Sequence, residues 1–109
     1  APMRAFIGNP KDVAEAFNNV IHEQDTKRGA FLVSQETYEL LRHSVHGEFH
    51  VYGHSGDAVA LAHDFYKTLH HFNECNVDYI LAEGVQNTGL GVAVMNRMEK
   101  ACAGHIIYL

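Results

Sequence analysis

Two hydrophobic rhythms alternate along the chain: short apolar runs of strand length, and longer stretches with apolar residues every three or four positions. Arg4-Ala5-Phe6-Ile7 reads as a first strand. Asn9-Pro10 then offers an N-cap followed by proline at the first helical position, and Val13, Ala14, Phe17, Val20 and Ile21 give residues 10–24 one apolar face. Ala30 to Val33 is apolar on both faces, as a buried parallel strand would be. Ser34 can cap a short helix carrying Tyr38, Leu40 and Leu41, with Glu36 and Glu39 on its wet side.

Glu48 to Tyr52 alternates as a third strand, and Gly53 to Asp57 turns into the longest helix, about 57–75, with Ala58, Leu61, Ala62, Phe65, Leu69 and Phe72 inward. Val77 to Ala82 is a fourth strand and Glu83 to Thr88 a loop. Gly89 to Ala103 is a helix with Leu90, Ala93, Val94, Met98 and Ala101 inward, and after Gly104 the segment His105 to Tyr108 is a fifth strand. Strands separated by crossover helices imply an α/β fold with a mainly parallel sheet of about five strands, covered by helices on both faces. No repeat, linker or low-complexity segment divides residues 1–109, so they form one domain.

Composition narrows the function more than the fold. With 47% apolar and 19% charged residues the chain is an ordinary globular one, and no run approaches the length of a membrane span. Eight Lys+Arg against 13 Asp+Glu leave a net charge of −5, the wrong sign for direct nucleic-acid binding. Two cysteines, Cys75 and Cys102, without a CxxC pairing, suit buried free thiols in a reducing cytoplasm. Nine histidines are many: full protonation would swing the formal charge from −5 to +4. His43, His46, His50 and His54 are spaced by three, four and four residues but run across loop, strand and turn, so they are not assigned to a metal. His63 and His70 share a helix face near its apolar stripe and read as partly buried imidazoles.

Ligands of open α/β sheets sit beyond the carboxyl ends of the strands, where two loops qualify. In the first, His54, Ser55 and Gly56 precede a helix start suited to a phosphate or carboxylate; the alternative has Ser55 or Asp57 capping the helix and His54 in solvent. In the second, Asn87 and Thr88 offer polar groups, while Gly89 and Gly91 resemble two glycines of a dinucleotide fingerprint whose third position is Val94. Glu83 beside that helix start disfavours an anion and suits a ribose hydroxyl, an amine or capping. No catalytic triad, nucleophile elbow or P-loop is present, so no catalytic residue is assigned.

One stretch is more specific. Val77-Asp78-Tyr79-Ile80-Leu81-Ala82-Glu83-Gly84, followed by Gly89-Leu90-Gly91-Val92-Ala93-Val94-Met95-Asn96-Arg97-Met98-Glu99-Lys100-Ala101, resembles the C-terminal domain of two-domain L-threonylcarbamoyladenylate synthases. Leu32-Val33-Ser34 with Glu36-Thr37-Tyr38, the Gly53 to Phe65 region and Ala1-Pro2 resemble other parts of it more loosely. The resemblance implies a Rossmann-like three-layer sandwich and a non-catalytic accessory or regulatory role in threonylcarbamoyl-AMP synthesis for tRNA modification. It implies no cofactor in this chain, a small nucleotide-like ligand, and a YrdC-like catalytic domain in cis or in trans, for which 109 residues leave no room. It also adds Asn96 and Arg97 as candidate ligand contacts; the alternative for Arg97 is pairing with Glu83 or covering a sheet edge. Ala1-Pro2 is either the end of an interdomain linker or an addition before a native start at Met3. A free-standing form would act as a nucleotide-binding or sequestering protein, or as a homo-oligomerisation module.

Overall fold

The computed structural model describes residues 1–109 as nine alternating elements: β1 (Met3–Ile7), α1 (Pro10–Glu23), β2 (Gly29–Val33), α2 (Gln35–Leu41), β3 (Glu48–Val51), α3 (Ala58–Glu74), β4 (Tyr79–Glu83), α4 (Gly91–Ala101) and β5 (Ile106–Tyr108). The five strands form one all-parallel sheet in the order β3-β2-β4-β1-β5. After β1 and β2 the chain steps toward the β3 edge through α1 and α2. After β3 and β4 it steps back through α3 and α4 on the opposite face, as right-handed crossovers require.

The period of two along each strand sorts side chains between two cores. On one face Phe6, Phe31, Val33 and Leu81 meet Val13, Phe17 and Val20 of α1 and Leu41 of α2. This core is aromatic: Phe6 meets Phe17 edge-on at 5.7 Å, and Phe31 lies 5.0 Å from Phe49. On the other face small residues Ala5, Ala30 and Ala82 leave room for Leu61, Phe65, Phe72, Met95 and Met98 of α3 and α4. The caps follow the sequence signals: Asn9 Oδ1 accepts from Asp12 N at 2.9 Å, Ser34 Oγ from Thr37 N at 3.2 Å, and Asp57 Oδ1 from Ala60 N at 3.0 Å.

Some expectations shift. Glu83 is the last residue of β4 rather than the first of a loop. The buried stripe of α4 is Gly91, Val94, Met95 and Met98, while Leu90, Ala93 and Ala101 are exposed. Gly91 sets this phase: a Cβ there would collide with the Gln86 carbonyl oxygen, so its bare side must face the preceding loop. Leu40 of α2 is likewise exposed and Thr37 buried in its place. No helix is long and apolar enough to cross a membrane.

A candidate ligand cleft at the carboxyl ends of the strands

Strand β4 lies between β2 and β1, yet its connection leaves on the opposite face from both of theirs. Divergent connections open a crevice beyond the carboxyl ends of the strands. A cleft of about 810 Å³ occupies this end of the sheet. Its walls come from Gly8 and Asn9 after β1, Ser55 to Val59 at the start of α3, Gly84 to Gln86, Thr88, Leu90 and Gly91 after β4, and Leu109. Glycine is dictated at two points of the wall. At Gly84 a Cβ would press on Ile7 at 2.9 Å and the Met95 sulfur at 3.0 Å, and Gly56 takes φ +84°.

The lining is polar but nearly chargeless. Asp57 is the only ionisable side chain in it, and one of its oxygens already caps α3. Asn9 is spent on α1, accepting from Asp12 N and donating to Asp12 Oδ2 at 2.9 Å. No side chain caps α4, but the Gly91 and Val92 amides turn back to the Thr88 and Gly89 carbonyls at 2.9 and 3.3 Å. Apolar Val59, Leu90 and Leu109, all exposed, line the cleft as well. Such walls can hold a ligand by backbone groups, hydroxyls and apolar contact; they hold no nucleophile–base pair.

The sequence candidates divide into three groups. Ser55, Gly56, Thr88 and Gly91 line the cleft. Asn87 and Gly89 are exposed on the same loop without lining it, and Gly89 has φ +53°. His54 stands outside, 81% exposed, with Nδ1 3.4 Å from Glu36 Oε2, while Glu36 Oε1 accepts from Ser55 N at 2.9 Å. The Ser55 N–H, with a smaller contribution from His54, holds the Glu36 carboxyl below the ordinary value. Asn96 and Arg97 lie on the exposed side of α4. Arg97 stands 6.0 Å over the Tyr66 ring and forms no ion pair with Glu83.

Glu83 sits behind the cleft at 1% exposure and reaches across to β2, where Oε1 accepts from Ser34 N at 2.7 Å. Burial raises its pKa, against a downward pull from the Ser34 N–H and the Thr37 and Ser34 hydroxyls. It therefore closes the start of α2, not that of α4. Tyr52 is also buried, and its hydroxyl has no protein partner; burial, then the charge of Glu83, pushes its pKa far up.

The wall after β1 is not among the sequence candidates, where Asn9-Pro10 reads only as a helix start; Gly8 directly after a strand is the signal that could have found it. The histidines also differ from expectation. His63 and His70 are exposed rather than partly buried: His63 Nδ1 pairs with Asp64 at 2.9 Å and His70 Nε2 with Glu74 at 3.5 Å. His50 Nε2 pairs with Asp64 at 2.6 Å. Cys102 is buried as expected, but Cys75 is only half-buried.

Comparison with known proteins adds the family context. Residues 1–103 match the family model described as "Threonylcarbamoyl-AMP synthase, C-terminal domain". Among curated proteins, the threonylcarbamoyl-AMP synthase of Bacillus subtilis is 29% identical over 109 residues, covering 98% of this chain and 30% of that protein. The Pyrococcus abyssi enzyme of the same name is 51% identical over 53 residues, covering 48% of this chain and 16% of that protein. The chain thus spans less than a third of the curated relatives it matches. In structure it is similar to P. abyssi Sua5 complexed with L-threonine, with TM-score 0.79, 28% identity, and cover of 100% of this chain and 30% of that one. The C-terminal Sua5 domain from Pyrococcus horikoshii aligns at TM-score 0.67 and 26% identity, over 100% of this chain and 97% of that one.

Proposed function

The chain belongs to the threonylcarbamoyl-AMP synthase C-terminal domain family, of the tRNA threonylcarbamoyl modification system, and from that premise we propose that it is a non-catalytic accessory domain for threonylcarbamoyl-AMP synthesis. The observation that supports this reading is the cleft: about 810 Å³, set where the sheet connections diverge, and lined by backbone, amides and hydroxyls with Asp57 as its only titratable side chain. A site of this composition binds and positions; it does not move protons. Its polar walls and apolar rim suit a small nucleotide-like molecule, and the partner of the reaction is a YrdC-like catalytic domain acting beside it.

The test adds this chain in trans to the isolated catalytic domain of a relative and follows threonine- and bicarbonate-dependent ATP consumption. The expected result is a higher rate or a lower KM, lost when Leu90→Asp places a charge on the cleft wall. An unchanged rate and KM would overturn the accessory role. A thermal-shift panel of AMP, ATP and cyclic nucleotides runs beside it, since a ligand at 100 times its Kd stabilises by about 2.7 kcal/mol. Response to that panel without an effect in trans would replace the accessory role by free-standing nucleotide binding.

A further inference from the structure

The other end of the sheet carries a second cluster, unrelated to the cleft and independent of the function proposed for it. Glu48 opens β3, the edge strand, and its side chain falls on the same face as that of His50 two residues on. Helix α3 crosses this face and is held to it by the His50–Asp64 pair at 2.6 Å. Two turns further along α3, His71 and Cys75 stand four residues apart on one side of the last turn. Cys75 is the C-cap, and Asn76 at φ 56° stops the helix directly after it. The result is one carboxylate oxygen, one imidazole nitrogen and one sulfur, all within 4.8 Å of one another.

We propose that Glu48, His71 and Cys75 form a binding site for a borderline-soft divalent cation, of which zinc is the type. One separation already matches that of two ligands on one ion, and the Glu48 carboxylate lies within 4.8 Å of both. Zinc binds sulfur at about 2.3 Å and imidazole nitrogen at about 2.0 Å, so at a tetrahedral centre the two ligands stand about 3.5 Å apart. Cys75 Sγ and His71 Nε2 are 3.6 Å apart. A thiolate and a carboxylate balance the charge of the dication, and the thiolate–imidazole pair selects against calcium and magnesium. His71 is exposed and Cys75 and Glu48 half-buried, so the fourth coordination position opens to water. The neighbouring His70 and Glu74 lie 3.5 Å from each other, outside the cluster. On binding, the ion takes the place of the thiol proton: the S–H bond breaks, the metal–sulfur bond forms, and the proton leaves to solvent. The bound ion would staple the edge strand to the end of α3.

The test titrates Co²⁺ into the reduced, metal-free protein and reads the thiolate-to-cobalt charge-transfer band and the visible ligand-field bands of tetrahedral cobalt, followed by displacement with Zn²⁺. The expected result is one equivalent per chain, with the charge-transfer band absent in Cys75→Ser. Affinity should fall at least roughly tenfold in His71→Ala and in Glu48→Gln, while His63→Ala leaves it unchanged. Circular dichroism of each variant reports that it is folded, and proton release on binding should disappear with Cys75→Ser. Absence of the band in the parent chain would overturn the proposal. So would an affinity indifferent to both His71→Ala and Glu48→Gln, because the thiol would then be acting without this cluster.

Discussion

Replacing Glu83 separates the two opposing influences on a carboxylate buried under the carboxyl end of the sheet. Burial is the largest influence on it and raises its pKa, exceeding the stabilisation of the anion by the Ser34 N–H and the nearby hydroxyls. The folded protein therefore holds this proton over a pH window in which the unfolded chain has lost it. The contribution of Glu83 to stability is complete below the ordinary glutamate pKa and is lost as pH rises through the folded value. At neutral pH the ionised side chain is a net cost, at about 1.4 kcal/mol for each unit of upward shift. Glu83→Gln keeps an oxygen for Ser34 N, turns its amide toward the Ser34 and Thr37 hydroxyls, and carries no charge. It should match or exceed the parent at neutral pH, and its advantage should shrink as the solution is acidified. Glu83→Ala instead orphans the Ser34 N–H, at about 1–3 kcal/mol, and removes buried methylene, at about 0.8 kcal/mol; a loss of about 2–4 kcal/mol follows. Urea unfolding followed by far-UV circular dichroism from roughly pH 4 to 8 measures all three proteins. A Gln variant destabilised as much as the Ala variant at neutral pH would refute the reasoning. It would mean that the anion at the start of α2 contributes more than its desolvation costs.

Outcomes are expected for four further variants. Tyr52→Phe removes a buried hydroxyl without a protein partner, so it should leave stability unchanged or raise it by about 1 kcal/mol; a loss above that in urea unfolding would show that the hydroxyl is satisfied. Gly91→Ala drives a methyl into the Gln86 carbonyl and should cost about 3 kcal/mol, the upper end of overpacking. Gly56→Ala, at φ +84° with open space around it, should cost only the left-handed backbone, about 1–2 kcal/mol; equal losses would mean that the loop after β4 yields freely. Asp64 is pushed up by partial burial, but hydrogen bonds from His50 and His63 and the charges of His50 and Lys67 bring it below the ordinary value. Its contribution is therefore present above the usual aspartate pKa and lost as pH falls through the folded one. Asp64→Asn should cost about 1 kcal/mol near neutral pH, with the difference disappearing in acid.

What could be read from sequence and what could not divides along the range of the interactions. Strand and helix identities are local, and so were their signals: Asn9-Pro10 and the Val13, Phe17, Val20 stripe place α1 where it is, and the continuous apolar run Tyr79-Ile80-Leu81-Ala82 marks a strand buried on both faces. Strand order is not local. Nothing near β4 announces that it inserts between β2 and β1. The partner of Glu83 lies 49 residues away in sequence, so its role at the start of α2 was out of reach of spacing arguments. Leu90 looks like core by type, but the steric demand at Gly91 decides which side of α4 faces in. Two of the three main walls of the cleft were visible as glycine-rich turns after strands. The cluster of Glu48, His71 and Cys75 was invisible because α3 has to cross β3 to assemble it; the four-residue spacing of His71 and Cys75 was its only local trace.

The strand order also dictates when the sheet can assemble. Both neighbours of β1 come from the last third of the chain: Ala5 is flanked by Ala82 and Ile106. Until β4 has been made, the first strand has no neighbour to pair with, and the strands of the early chain can pair only as the β2–β3 ribbon, with α1 and α2 on one face and α3 on the other. The loops that close on β1 are long, so the entropy of closing them falls in the late stages of folding. The face carrying Ala30 and Leu32 already has α3, with Leu61, Phe65 and Phe72, to cover it. Residues 79–83 are thus the segment that joins the two halves: β4 pairs with β2 on one side and β1 on the other, and the loop that leaves it forms a wall of the cleft.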